Sequence, residues 1–137
     1  TILDISENAL NHSKERLGSN KNNVQWVVQD VRELNIPTKF DVWHDRALFH
    51  FLNSIEEKKA YFKNLDSCLK SSGFVILFTF SEEGPLKCSG LEITRYDRET
   101  MVELIGPHFK CIHFQKETHL TPANKEQNFN IWVFQKN

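Results

Sequence analysis

Phe74-Val75-Ile76-Leu77-Phe78-Thr79-Phe80 restricts the fold more than any other stretch, because Thr79 is its only polar residue. A run so apolar cannot leave one face in water, and it predicts a strand covered on both sides, as central strands of parallel sheets are. Parallel neighbours need a crossover between them, usually a helix. The remaining sequence supplies the required alternation.

Thr1 to Ile5 reads as a short apolar strand, and Ser6 as the cap of a helix with Glu7 in its first turn. Ala9, Leu10, Ser13 and Leu17 share one stripe of that helix, and Gly18 stops it. Val24 to Val28 is a second strand closing on Gln29-Asp30-Val31. After Pro37, Phe40-Asp41-Val42-Trp43 opens a third that ends at His44-Asp45-Arg46. Ser54-Ile55-Glu56-Glu57 has capping-box spacing, and Ile55, Phe62, Leu65 and Leu69 mark the inner face of a helix running to about Lys70. Ser72-Gly73 breaks it before the Phe74 strand. Asp97 caps a further short helix with Met101, Leu104 and Ile105 inward and Gly106-Pro107 at its end. Phe109 to Thr118 and Phe129 to Gln135 are strands without a helix between them, so they predict an antiparallel hairpin turning through Thr121-Pro122-Ala123-Asn124. A single α/β domain over 1–137 accounts for the chain.

Seventeen basic and eighteen acidic residues leave a net charge of -1, so no global field draws the protein to nucleic acid or anionic lipid. No apolar run approaches the roughly 20 residues that span a bilayer, and no signal peptide is legible. Three scattered cysteines, Cys68, Cys88 and Cys111, suit a reducing, cytoplasmic setting and offer no metal-ligand spacing. Eleven phenylalanines fall mostly at core spacing without a basic groove, which argues against base stacking.

Ligands of open parallel sheets bind beyond the carboxyl ends of the strands. Asp4, Asp30 and His44-Asp45-Arg46 occupy such ends. An acid there can accept both hydroxyls of a ribose, and a later one can face an adenine amino group. In this the chain resembles the class I S-adenosylmethionine-dependent methyltransferases. Leu3-Asp4-Ile5-Ser6 looks like their ribose-binding acid, Gln29-Asp30-Val31 like their adenine-edge segment, and Phe40 to Arg46 like the strand ending beside the transferred methyl group. Trp43 to Leu52, Gly84 to Leu91, Arg95-Tyr96-Asp97, Thr121-Pro122 and Gln127-Asn128-Phe129 resemble one subgroup of small bacterial methyltransferases.

The resemblance implies a Rossmann-like, mostly parallel sheet with helices on both faces and a C-terminal antiparallel hairpin. It implies S-adenosylmethionine as cofactor, with Asp4, Ile5, Asp30 and Val31 on the nucleoside. His44, Asp45 and Arg46 become catalytic candidates, and His50, Arg95 and Tyr96 contacts to a small-molecule acceptor. A bland reading stands beside each. Asp4 caps the next helix, Asp30 is an ordinary loop acid, the His44 to Arg46 trio ties loop to helix by an ion pair, and His50 is a packed core histidine among Phe49, Phe51 and Leu52.

The family also has a first strand and a Gly-x-Gly-like turn, placed between the strands that begin here at Thr1 and Phe40. None of Gly18, Gly73, Gly84, Gly90 and Gly106 precedes Asp4, and residue 1 is Thr. The expectation is an N-terminally truncated domain with weakened cofactor binding. Its two bordering strands close up directly, or receive a strand from a second copy in a homodimer, or flank a segment encoded upstream. A non-catalytic remnant that self-associates or binds another small ligand is the alternative. The strands at Thr1, Val27 and Val42 are expected in one sheet.

Overall fold

The computed structural model describes residues 1–121 and 124–137, so the proposed turn at Pro122-Ala123 lies outside the described residues. The chain divides into two compact units, Thr1–Ile36 and Pro37–Asn137.

In the first unit, β1 (Ile2–Asp4) pairs in parallel with β2 (Trp26–Val28), matching Ile2 to Trp26 and Asp4 to Val28. α1 (Glu7–Leu17) makes the crossover. Ser6 Oγ accepts the Ala9 N–H at 3.3 Å, and Gly18, at φ 55°, ends the helix. Of the predicted stripe only Leu10 is buried; Ala9 and Leu17 are exposed. A 3-10 segment at Gly18–Asn23 leads into β2.

The second unit is built on a four-stranded sheet in the order β3-β4-β8-β7. β3 (Phe40–Arg46) runs parallel to β4 (Leu69–Phe80), and β8 (Glu126–Lys136) pairs antiparallel with both β4 and β7 (Phe109–Leu120). α2 (Ile55–Cys68) joins β3 to β4, α3 (Arg98–Ile105) joins β4 to the hairpin, and a small ladder of β5 (Lys87–Cys88) with β6 (Leu91–Glu92) lies in between. The register aligns Asp45, Leu77, Trp132 and Phe114 in one cross-strand row. Tyr61 of α2 bonds Asp45, and the Arg98 guanidinium of α3 lies 5.6 Å from the Phe114 ring centroid, so both helices cover this face. Val75, Leu77, Trp132 and Phe134 are fully buried beneath them.

Several expectations are corrected. β1 and β2 form a sheet of their own, separate from the one containing Val42. Among the described residues no strand joins β1 to β3, and the two do not pair directly, so each ladder ends there. Leu69 is strand, not helix. Ser72-Gly73, which reads as a break, continues β4 instead, with Leu69 opposite Phe40 and a register shift before Val42. The shift is absorbed by Ser72 at φ 62° and by Gly73, where a Cβ would stand 2.9 Å from Lys70 O and 3.1 Å from Asp41 O. Ile55 is exposed rather than buried, because the first turn of α2 is held by its capping box, with Glu57 N–H on Ser54 Oγ at 3.2 Å and Ser54 N–H on Glu57 Oε2 at 3.0 Å.

Candidate functional site

Parallel pairing in the first unit brings Asp4 and Asp30 to the same end of its sheet, with Gln29 N–H donating to Asp4 O at 3.2 Å. Asp4 is half-buried. Its Oδ1 accepts the Ser6 N–H at 2.8 Å, and its other oxygen has no partner among the described residues. Asp30 Oδ1 accepts the Arg32 N–H at 2.8 Å, and both carboxylate oxygens take bonds from the Arg32 guanidinium. Those bonds hold the Asp30 carboxyl below its ordinary range. Ile5 is 69% exposed, whereas Val31 is buried.

In the second unit the end of β3 splits the trio between the two faces of the sheet. Asp45 points to the helix-covered face and is buried. Tyr61 O–H donates to its Oδ2 at 2.7 Å, the Leu48 N–H to its Oδ1 at 2.9 Å, and Trp43 Nε1–H in turn to Tyr61 Oη at 2.9 Å. Removal from water pushes the Asp45 carboxyl above its usual range, and burial beside that carboxylate pushes the Tyr61 phenol well up. The network fixes the turn that follows. Ala47 stands at φ 67°, a conformation costly for any residue with a Cβ, and its N–H is tied to Phe78 O at 3.2 Å. Asp45 is thus held among these donors on the face away from His44 and Arg46.

His44 and Arg46 occupy the face opposite α2 and α3 and are exposed. The His44 ring lies 5.7 Å from that of Phe78. Among the described residues the Arg46 guanidinium has no hydrogen-bond or ion-pair partner, so the ion-pair reading of the trio does not hold.

His50 follows in a 3-10 turn, Phe49–Phe51, and is fully buried between the rings of Phe51 at 4.5 Å and Phe80 at 4.8 Å. Neither ring nitrogen has a hydrogen-bond partner among the described residues. Burial without a partner penalises the imidazolium and lowers the pKa to about 4. The backbone ties His50 to the segment after β4: Thr94 N–H donates to His50 O at 2.8 Å, and Tyr96 N–H to Phe80 O at 3.2 Å. Arg95 is exposed, and its Nη1 donates to Glu82 O at 2.8 Å and Gly84 O at 3.1 Å, closing that loop on itself. The Tyr96 side chain is buried, its phenol pushed up to about 12 by loss of water, and Lys58 Nζ lies 5.5 Å from its ring centroid. Glu82 anchors the same segment, accepting from Lys116 Nζ at 2.6 Å and Asn130 Nδ2 at 3.1 Å.

The sequence reading overlooked Tyr61, which shows only as one apolar-stripe residue of α2. It also overlooked a cleft of about 170 Å³ on the sheet face opposite α2 and α3, whose lining includes Arg46, Phe78, Glu117, Gln127 and Phe129. Alternation of Glu117, His119, Gln127 and Phe129 along the hairpin was the available signal.

Parallel strands linked by helices, carboxylates at their carboxyl ends and a terminal antiparallel pair define a Rossmann-like domain of the class I methyltransferase type. Residues 1–73 match the family model described as a methyltransferase domain, more than half of the chain, and the chain belongs to that family. Malonyl-[acyl-carrier protein] O-methyltransferase 2 of Ilyobacter polytropus is 33% identical over 82 residues, covering 60% of this chain and 30% of that relative. The chain thus spans less than a third of the curated relative it matches. Among solved structures, N-methyltransferase NodS from Bradyrhizobium japonicum WM9 superposes with a TM-score of 0.74 at 10% identity, over 98% of this chain and 71% of that one. A S-adenosylmethionine-dependent methyltransferase from Methanosarcina mazei gives 0.75 at 13% identity, over 98% and 80%. The 1,6-didemethyltoxoflavin-N1-methyltransferase of Burkholderia thailandensis, solved with its substrate and S-adenosylhomocysteine, gives 0.71 at 17%, over 98% and 60%. At these identities the structural likeness is one of fold.

Proposed function

We propose that the protein transfers a methyl group from S-adenosylmethionine to a small-molecule acceptor. The observation that carries the reading is Asp4, a half-buried carboxylate at the carboxyl end of a parallel strand, with one oxygen engaged by the backbone and the other free. A ribose diol needs such an acceptor, and a relative with 33% identity is named as a methyltransferase. On this reading Asp4 and Ile5 hold the ribose side, and Asp30 and Val31 border the adenine. The Arg32 bonds keep the Asp30 carboxylate charged and fixed, as an acceptor for an amino group must be.

S-adenosylmethionine, when bound, supplies a sulfonium-activated methyl group. The chain's own contribution is then to hold an acceptor in line and to take its proton where the acceptor needs to lose one. His44 and Arg46 are the exposed groups of β3 suited to border the reaction. Asp45 sets the turn that presents them, and His50, uncharged near neutrality, belongs with the acceptor side. Arg95 and Tyr96 shape the acceptor side. The same reading takes the enzyme as cytoplasmic, in keeping with three free thiols, and takes the outer edge of β3 as the place for a strand from a second copy.

Calorimetric titration with S-adenosylhomocysteine tests the assignment. Saturable heat that Asp4→Ala abolishes is the expected result. Absence of heat at millimolar ligand refutes it and leaves the non-catalytic ligand module standing.

A further inference from the structure

We propose that the cleft on the face of the second unit's sheet opposite α2 and α3 is a binding site for a single-ring aromatic acid carrying a ring amino or hydroxyl group. Cross-strand register places its components together: Arg46 stands opposite Phe78, Glu117 opposite Phe129 and His119 opposite Gln127. All six line one cavity. The register of β3, β4, β8 and β7 puts them on the face that neither α2 nor α3 covers.

Phe78 and Phe129 make the floor. Both are half-buried, and the Phe129 ring is stacked on Phe80 with centroids 4.4 Å apart and planes 24° from parallel, so it presents a fixed aromatic surface. A flat ring gains from offset stacking on such a surface, which an aliphatic chain does not. The volume, about 170 Å³, is below the roughly 300–1,000 Å³ of pockets that take drug-sized molecules, and so selects one ring.

The rim decides the charge. Among the described residues neither Arg46 nor Glu117 has a salt-bridge or hydrogen-bond partner, so both charges are available to a ligand. Arg46 is on one outer strand and Glu117 on the other, three strand steps across and two residues beyond Gln115 of the Arg46 row, so about 16 Å separates the backbones at ~4.8 Å per step and ~3.4 Å per residue. Two long side chains reaching inward shorten that gap to the length of one substituted ring. The guanidinium fork matches a carboxylate bidentately, leaving Glu117 to accept from an amino or hydroxyl group at the ring's far end. Gln127 supplies a further donor and acceptor at the rim. Strain at Ala47, maintained by Asp45 and Tyr61, sets where Arg46 emerges. The statement that this ligand is the methyl acceptor rests on the transferase reading; the binding site itself does not.

Ligand-observed NMR titration of the full chain with para-aminobenzoate, benzoate, aniline and cyclohexanecarboxylate tests the site. The expected order has para-aminobenzoate tightest, with aniline and cyclohexanecarboxylate each about tenfold weaker or more, the loss of one principal contact. Arg46→Gln weakens para-aminobenzoate about tenfold while leaving aniline unchanged, and Phe129→Leu weakens all aromatic probes. Circular dichroism confirms that each variant is folded. Absence of saturable binding by para-aminobenzoate, or equal affinity for the Arg46→Gln protein, overturns the proposal. Binding of the acid without S-adenosylhomocysteine binding keeps the cleft and rejects the transferase; the converse result rejects the cleft alone.

Discussion

Protonation of His50 is expected to set the acid limit of the fold. The imidazole is fully buried, lies between two phenylalanine rings and lacks a partner for either nitrogen among the described residues. Its pKa falls from 6.5 in the unfolded chain to about 4 in the folded one. Between those values the unfolded state binds the proton and the folded state does not, so stability rises with pH across the window. The contribution is fully present above pH 6.5 and is lost as pH drops toward 4. At 1.36 kcal/mol per pKa unit the full loss is about 3 kcal/mol, a large share of the ~5–15 kcal/mol that holds a domain together. Urea unfolding followed by far-UV circular dichroism at pH 7 and pH 4 measures it, with His50→Phe as the partner protein. Phe keeps a flat ring and removes the titration. Asp30, Glu82 and Asp97, whose carboxyls are held low by their hydrogen bonds, also lose stabilising charge in acid, but they do so in both proteins and cancel in the difference. Wild type should lose about 3 kcal/mol more than the variant. Equal losses refute the burial argument, whatever the variant's absolute stability.

Two further outcomes follow from neighbouring geometry. Asp45 titrates in the opposite sense: its folded pKa is raised, so its contribution is full below the unfolded value of 3.8 and declines as pH rises through the folded one. Wild type measured against Asp45→Asn should therefore become relatively less stable from pH 3 upward, which the urea series reads once extended to pH 3 and pH 5. Gly73→Ala inserts a methyl group 2.8 Å from Leu69 Cγ and 2.9 Å from Lys70 O. A loss of about 1–3 kcal/mol is expected from overpacking, seen as a lowered thermal midpoint, and an unchanged midpoint refutes the close approach.

Local chemistry made much of this legible in the sequence. The Phe74 to Phe80 run becomes the second strand of a four-stranded sheet, Ser54 and Glu57 close the box their spacing announces, and Asp97 caps α3 through the Thr100 N–H at 2.8 Å. What escaped depends on partners distant in the chain. Ser71-Ser72-Gly73 has loop composition and becomes strand because Phe40 and Val42 offer a parallel edge, with a shift at Ser72 that only the pairing creates. Alternation along β7 suggests a solvated face, and nothing in it shows that Glu117 shares a cavity with Arg46 three strands over. The placement of Asp4 and Asp30 at strand ends was readable because the apolar runs before them mark where each strand stops. The burial of Asp45 was not, since it rests on Tyr61 in the following helix.

The indole of Trp43 donates its N–H to the phenol that holds Asp45, and its ring meets Tyr61 edge-on with centroids 5.7 Å apart. Trp26, in the first unit, donates to the backbone carbonyl of Lys21 in that same unit, and Trp132 is sealed in the core. One chromophore of the three is thus wired to the carboxylate that orients the Arg46 turn. Its emission will report the state of that carboxylate without a label, and a Trp43-only protein would let proton uptake and ligand capture be followed optically in real time.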